Sequence, residues 1–221
     1  MDWIRPVRFS SLVLTLFALA TGAMIAGTYL STKDRIAQQE RIAQAKALLE
    51  ILPQHTHDNL MVDDSLPVTD TDLLHLGETS AIYLARQQGK VIGMIIPAVA
   101  PDGYSGNINI ITGLYRNGEV AGVRVVSHNE TPGLGDKADV KKSPWVLGFN
   151  GKSLLNPSLD RWRVKKDKGE FDQFTGATIT PRAITKAVLK TLQYYEQNSI
   201  RLLAEAETTT PAATITGAND E

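Results

Sequence analysis

The chain has 221 residues, a formal net charge of -1 and no cysteine. The near-neutral balance excludes a role that tracks nucleic-acid phosphates, which requires a clear basic excess. The missing cysteines exclude disulfides, thiolate zinc sites, cysteine-ligated iron–sulfur clusters and cysteine nucleophiles, and leave the redox compartment open. The length suits one membrane segment followed by one domain.

The first element is apolar. No charged residue occurs from Leu12 to Leu30. At ~1.5 Å per residue such a stretch crosses a hydrocarbon layer of roughly 30 Å. Ala18-Leu19-Ala20 has the form of a signal-cleavage site, yet apolar residues continue through Met24, Ile25, Tyr29 and Leu30. A signal core spans only about 7–15 residues, so a retained anchor is expected. Arg5 and Arg8 before it oppose Lys33, Arg35 and Arg41 after it, and this count does not orient the anchor.

Asp34 to Leu52 reads as a helical stalk that packs on the following domain. Ile36, Ile42, Ala45, Leu48, Leu49 and Leu52 form its apolar stripe, and Pro53 ends it. His55 and His57 follow in a polar, Asp-rich loop; without a third nearby ligand they read as solvated histidines. Strands are expected at Ala81–Arg86 and Val91–Ile96 around the turn Gln87-Gln88-Gly89-Lys90. A second pair is expected at Asn107–Tyr115 and Val120–Ser127 around Arg116-Asn117-Gly118-Glu119. Ile108, Ile110 and Thr112 alternate with Asn107 and Asn109, so one face is buried. Lys141 to Gly148 reads as a short helix around Trp145. The basic run Arg161–Lys168, stopped by Gly169, reads as a solvated face.

Thr180 to Asn198 is the clearest helix, with Thr180 as N-cap and Pro181 as first helical residue. Ile184, Val188, Leu192 and Tyr195 form its apolar stripe. Beyond about residue 205 the composition cannot bury a core. The expected organisation is therefore a tip and anchor at 1–32, a stalk at 33–60, a domain at 61–204 and a disordered tail at 205–221. The fold class is α+β, with antiparallel hairpins and packed helices behind one transmembrane helix.

Chemistry concentrates in Asp172-Gln173-Phe174-Thr175-Gly176-Ala177-Thr178-Ile179-Thr180-Pro181. A small-residue loop here runs into a helix N-terminus. The first amides of a helix lack internal acceptors, and the macrodipole places partial positive charge there. Such a spot favours phosphate. A plain turn followed by a capped helix reads equally well from the same residues. Thr175, Thr178 and Thr180 all offer hydroxyls, and physics alone does not choose among them.

Asp172 with Thr175-Gly176-Ala177-Thr178 resembles the flavinylation motif of the FMN-binding domain family. Two further segments are similar to that family and occur in its order: Glu130-Thr131-Pro132-Gly133-Leu134-Gly135, and Asp102-Gly103-Tyr104-Ser105-Gly106. The resemblance implies FMN attached covalently to Thr178 by a phosphodiester bond, installed by a separate flavin transferase using FAD and Mg²⁺. Thr175, Gly176, Ala177 and Asp172 are then parts of the acceptor loop. Glu130, Thr131, Leu134 and Tyr104 become pocket candidates, whereas Trp145 and Trp162 read as core. No residue is assigned a catalytic or metal-binding role. Within the family the chain looks most like the G subunits of Rnf (Rsx) electron-transport complexes. The C subunit of the sodium-pumping quinone reductase is the rival, and a non-redox anchored scaffold is the alternative of another class. The resemblance further implies partner subunits and a flavin domain on the periplasmic side of the bacterial inner membrane. There it would relay electrons in ferredoxin- and NAD-linked ion transport, or keep a redox-sensing regulator reduced.

Overall fold

The computed structural model describes residues 4–208 and comprises two units, one ending at Gln44 and one beginning at Ala45. Expected anchor and stalk form a single helix, α1, from Ile4 to Ile51. Nothing in the sequence between Leu30 and Ile51 breaks it, since that stretch has neither Gly nor Pro. Ser11 to Lys33 is long and apolar enough to cross a membrane. Its hydroxyls stay satisfied inside the helix: Thr15 donates to the Ser11 carbonyl at 2.8 Å, Thr21 to Phe17 at 2.9 Å and Thr28 to Met24 at 2.8 Å. This is the condition for polar side chains in lipid. Of the stalk's stripe, Leu48 and Leu52 are buried while Ile36 and Ile42 are exposed.

The second unit is built on an antiparallel meander in which each strand pairs with the next. The strands are β1 (Ser65–Val68), β2 (Ser80–Gln87), β3 (Lys90–Gly103), β4 (Gly106–Tyr115) and β5 (Val120–Ser127). Gln87 pairs with Lys90, so Gln88 and Gly89 alone make the first turn, both at positive φ (51° and 76°). That conformation matches the twist of a hairpin. Helix α2, Ile179–Thr208, covers one sheet face. Ile184, Val188, Leu192 and Tyr195 are buried there with Ile108, Ile110 and Leu114. Leu48, Ile51, Leu52 and Met61 form a smaller core with Ala85, Ile95 and Ile111. A Cβ at Gly113 would collide with Ile51, so this glycine lets the helix end press against the strand. Arg124 secures it, donating to the Glu50 carbonyl at 3.0 Å and pairing with its carboxylate at 3.2 Å.

Several elements differ from the sequence reading. Strand β1 was not expected; it is four residues long and contains Pro67, which an edge strand tolerates. Strand β3 runs seven residues beyond Ile96, through Pro97. Its pairing with β2 stops at Ile95, while β4 continues alongside it to Gly106, so Pro97 is accommodated beyond the β2 ladder. Helix α2 runs to Thr208, past the expected start of the tail, and buries Leu202 and Ala206. Residues 209–221, the rest of that expected tail, lie outside the described residues. His57 is buried rather than solvated, with Nδ1 2.9 Å from the Asn59 carbonyl.

The largest surprise is a buried ion pair. Arg86 on β2 donates to both Asp64 oxygens, at 2.7 and 3.2 Å, and to the Ala206 carbonyl near the end of α2 at 2.7 Å. Asn59 joins this network through Asp64 at 2.9 Å and the Arg86 amide at 2.8 Å. Removing one partner of a buried pair leaves an uncompensated charge. Asp64→Ala is therefore expected to lower unfolding stability by about 3–5 kcal/mol in chemical denaturation of the detergent-solubilised chain. A loss under about 1 kcal/mol, the scale of a surface pair, would contradict this role.

Candidate functional site

The loop at 175–178 rests on an aromatic floor. Phe174 is buried, and its ring meets Trp145 edge-on at 5.0 Å. Trp145 also meets Phe149 at 5.3 Å and donates its indole N–H to the Asp172 carbonyl at 2.7 Å. Phe149, Trp162 and Phe171 continue the cluster inward. Trp145 and Trp162 are thus packing residues that hold the segment leading into the loop. Trp145 sits in a short 3₁₀ helix, Pro144–Phe149, where a short helix over Lys141–Gly148 was expected.

From Phe174 the chain turns sharply. Ala177 donates its N–H to the Phe174 carbonyl at 3.2 Å, and Gly176 adopts φ 83°. This left-handed conformation favours glycine. Thr175 and Gly176 are exposed at the tip, while Ala177 and Thr178 are half-buried. Helix α2 then begins at Ile179, two residues before Pro181, the expected first helical residue. The Thr178 carbonyl accepts the Arg182 N–H at 3.3 Å, which makes Thr178 the N-cap in place of Thr180.

The shift moves Pro181 to the third helical position. An N-cap hydroxyl normally accepts from the second or third helical amide. Pro181 has no N–H to offer. Among the described residues none hydrogen-bonds the Thr178 hydroxyl. The cap hydroxyl is therefore left without a partner among the described residues.

Thr180 has the opposite fate. It is 1% exposed, and its hydroxyl donates a hydrogen bond to Glu130 Oε2. Glu130 is itself buried, and its Oε1 accepts the Ser105 N–H at 2.9 Å. One carboxylate thus joins the hairpin turn at Tyr104-Ser105, the loop Glu130–Gly135 and the first turn of α2. The three motif segments, far apart in sequence, meet at this point. The loop itself is closed by Leu134 and Gly135 amides donating to the Thr131 carbonyl, both at 3.1 Å, with Gly133 at φ 77°. Leu134 lies beside the acceptor loop: a Cβ on Gly176 would sit 3.5 Å from it.

The expected site residues therefore fall into groups. Glu130 and Thr180 are the buried link. Thr131, Leu134 and Tyr104 are exposed around it, the last two at 41% and 69%. Asp172 points away from the core, paired with Lys165 at 2.7 Å. The basic run is not purely a solvated face, because Asp167 within it binds Arg182 bidentately at 2.5 and 2.6 Å. That clamp and the Ser105 contact were not legible in the sequence, since each joins residues with no shared periodicity.

Residues 103–193 match the model of the FMN-binding domain, and residues 1–51 match the RnfG N-terminal region. The chain is 48% identical to the G subunit of an ion-translocating oxidoreductase complex of Pseudomonas aeruginosa, over 92% of this chain and 95% of that protein. The G subunit from Shewanella loihica is 45% identical over 90% and 94% of the two chains. The G subunit from Aliivibrio fischeri is 48% identical over 90% and 95%. The chain belongs to the family of G subunits of ion-translocating oxidoreductase complexes. All three motif segments fall within the residues these relatives cover, and Gly103 to the middle of α2 within the FMN-binding domain itself. The RnfG N-terminal region spans the apolar helix Ser11–Lys33, so the chain is a membrane-anchored member of that family.

Arg182 holds the Asp167 carboxyl below its ordinary value of 3.8, mainly by hydrogen bonding. A depressed folded value means that the unfolded chain takes up protons first as pH falls. The clamp's contribution is present above pH 3.8 and withdrawn as pH falls through the folded value. Thermal unfolding should thus show a shallower acid limb for Asp167→Asn than for the parent; superimposable limbs would contradict the clamp.

Proposed function

We propose that the chain is the electron-transfer subunit of an ion-translocating oxidoreductase complex, carrying FMN on Thr178 through a phosphodiester bond. The observation that supports this most is the separation of the three threonines. Thr180 is buried and committed to Glu130, Thr175 lies at the turn's tip, and Thr178 caps a long helix with its hydroxyl unpartnered among the described residues. The residues present fit a phosphate-linked group. A 30-residue helix begins beside Thr178, and its first-turn amides lack intrahelical acceptors. Gly176 supplies the left-handed turn that leads the loop into this helix start.

A threonine hydroxyl does not attack phosphorus unaided. No side chain hydrogen-bonds Thr178 Oγ1 among the described residues. The base and Mg²⁺ are therefore assigned to a separate flavin transferase. In the attachment Thr178 Oγ1 bonds to the FMN phosphorus of FAD, the pyrophosphate bond breaks, AMP leaves, and the hydroxyl proton passes to the transferase. Thr178 is thus a tether, and the chain's own residues have positional roles. Exposed Asp172 and Thr175 present the loop to the transferase. Thr131, Leu134 and Tyr104 form the surface against which the flavin is held. Bound FMN supplies one- and two-electron redox chemistry, and the protein supplies position and electrostatics.

The remaining subunits of the complex are the redox partners. The family likeness supports a domain on the periplasmic side of the inner membrane; the flanking charges do not orient the helix. Relatives at 48% identity that are named as G subunits of ion-translocating oxidoreductase complexes favour this complex over the sodium-pumping quinone reductase.

Denaturing electrophoresis under ultraviolet light tests the proposal. Full-length protein co-expressed with a flavin transferase should give a fluorescent band that survives denaturation. Thr178→Ala should abolish it, while Thr175→Ala should retain the acceptor. A dark parental band would remove the covalent-flavin reading in favour of a non-redox scaffold, and a bright Thr178→Ala band would relocate the tether.

A further inference from the structure

Glu130 has an arrangement that a ligand-contacting carboxylate does not need. It is 5% exposed, and each of its oxygens already accepts a hydrogen bond from within the protein, from Ser105 N–H and from the Thr180 hydroxyl. The surroundings are shaped to this pair. A Cβ at Gly135 would lie 2.6 Å from Glu130 Oε2 and 2.8 Å from Thr180 Oγ1, so only glycine leaves both in place. The His128 ring nitrogen accepts the Glu130 amide at 3.0 Å, fixing the backbone from which the side chain departs.

The target of this carboxylate is significant. Thr180 sits two residues after Thr178, in the helical turn that starts at Ile179. Helix ends fray, because their first amides are unsatisfied. Pro181 leaves this end with one fewer capping amide. Burying the Thr180 hydroxyl against Glu130 pins the first turn to the sheet, and with it the backbone that aims Thr178.

We propose that Glu130 is a positioning residue for flavin attachment, holding Thr178 in the arrangement a flavin transferase accepts by anchoring Thr180. The inference rests on Thr178 being the acceptor. Both Glu130 oxygens are taken up by Ser105 and Thr180, so Glu130 acts on Thr178 through Thr180 and not by direct contact. It lowers the cost of bringing the hydroxyl into line, as positioning groups generally do. Its second arm to Ser105 makes the same carboxylate report the state of the Tyr104–Ser105 turn.

The test uses the full chain in detergent with a flavin transferase, FAD and Mg²⁺. Initial rates of covalent attachment are followed by intact mass and in-gel fluorescence across acceptor concentrations, well below the unfolding midpoint of each variant. Thr180→Val should reduce the maximal rate roughly 10-fold or more with little change in KM, because misplacement acts after docking. Thr180→Ser, which keeps the hydroxyl, should recover most of the rate. Hydrogen exchange should quicken in Thr180→Val at the Ser105 amide and in the first turn of α2, without flavin present. A parental rate in Thr180→Val overturns the proposal, and so does an equal loss in Thr180→Ser or a loss that merely follows melting temperature. Should Thr180→Val fail to fold, Glu130→Gln takes its place: it keeps the size but offers one acceptor oxygen, and an unchanged rate there overturns the proposal. Thr178→Ala keeps the two claims apart, since attachment in that variant contradicts the acceptor reading, while the Val and Ser pair still measures positioning.

Discussion

A single buried carboxylate organises this molecule's working end. Burying a charge is costly unless its lone pairs are met, and Glu130 meets them with a backbone N–H and a threonine hydroxyl. Those two donors come from opposite ends of the domain sequence, 25 residues before Glu130 and 50 after it. The hairpin turn of β3 and β4, the glycine-containing loop and the start of α2 are consequently held together. Glycine stands beside the carboxylate because the approach is close: a Cβ at Gly135 would lie 2.6 Å from Glu130 Oε2.

The same principle recurs at the other end of α2. Arg86 spends its donors on Asp64 and on the Ala206 carbonyl near the helix terminus. One buried polar link thus fixes each end of the helix, and apolar packing along Ile184, Val188 and Leu192 fixes its middle. A helix held at three places is a rigid mount. Its N-terminus then holds Thr178 at the base of a loop whose tip remains exposed. Rigid scaffolds with functional loops are the general solution to this conflict.

The sequence disclosed what is periodic or local. The apolar stretch from Leu12 to Leu30, the two hairpins with their Gly-containing turns and the stripe on α2 all follow from spacing, and they are present in the fold. Short or paired features were hidden. Strand β1 is too short for its alternation to register, and Pro97 masked the second half of β3. Arg86 looked like one more charge at a strand end, and nothing near it named Asp64 as its partner. At the site, family motifs identified the three segments, yet not the contact between them. Thr180 resembled an ordinary N-cap because its neighbour is proline. Only the fold shows that proline sits two positions further into the helix, which moves the cap to Thr178 and frees its hydroxyl.

Of three neighbouring threonines, Thr178 alone therefore combines a helix-capping backbone with an uncommitted hydroxyl. Peptide mass spectrometry of the full-length protein, purified from cells that contain a flavin transferase, tests this most directly. A tether at Thr178 requires the mass of FMN less one water on the peptide spanning Phe174 to Arg182, with fragmentation placing it on Thr178. The same mass on Thr175 or Thr180, or an unmodified peptide from protein that nevertheless retains flavin tightly, would contradict it.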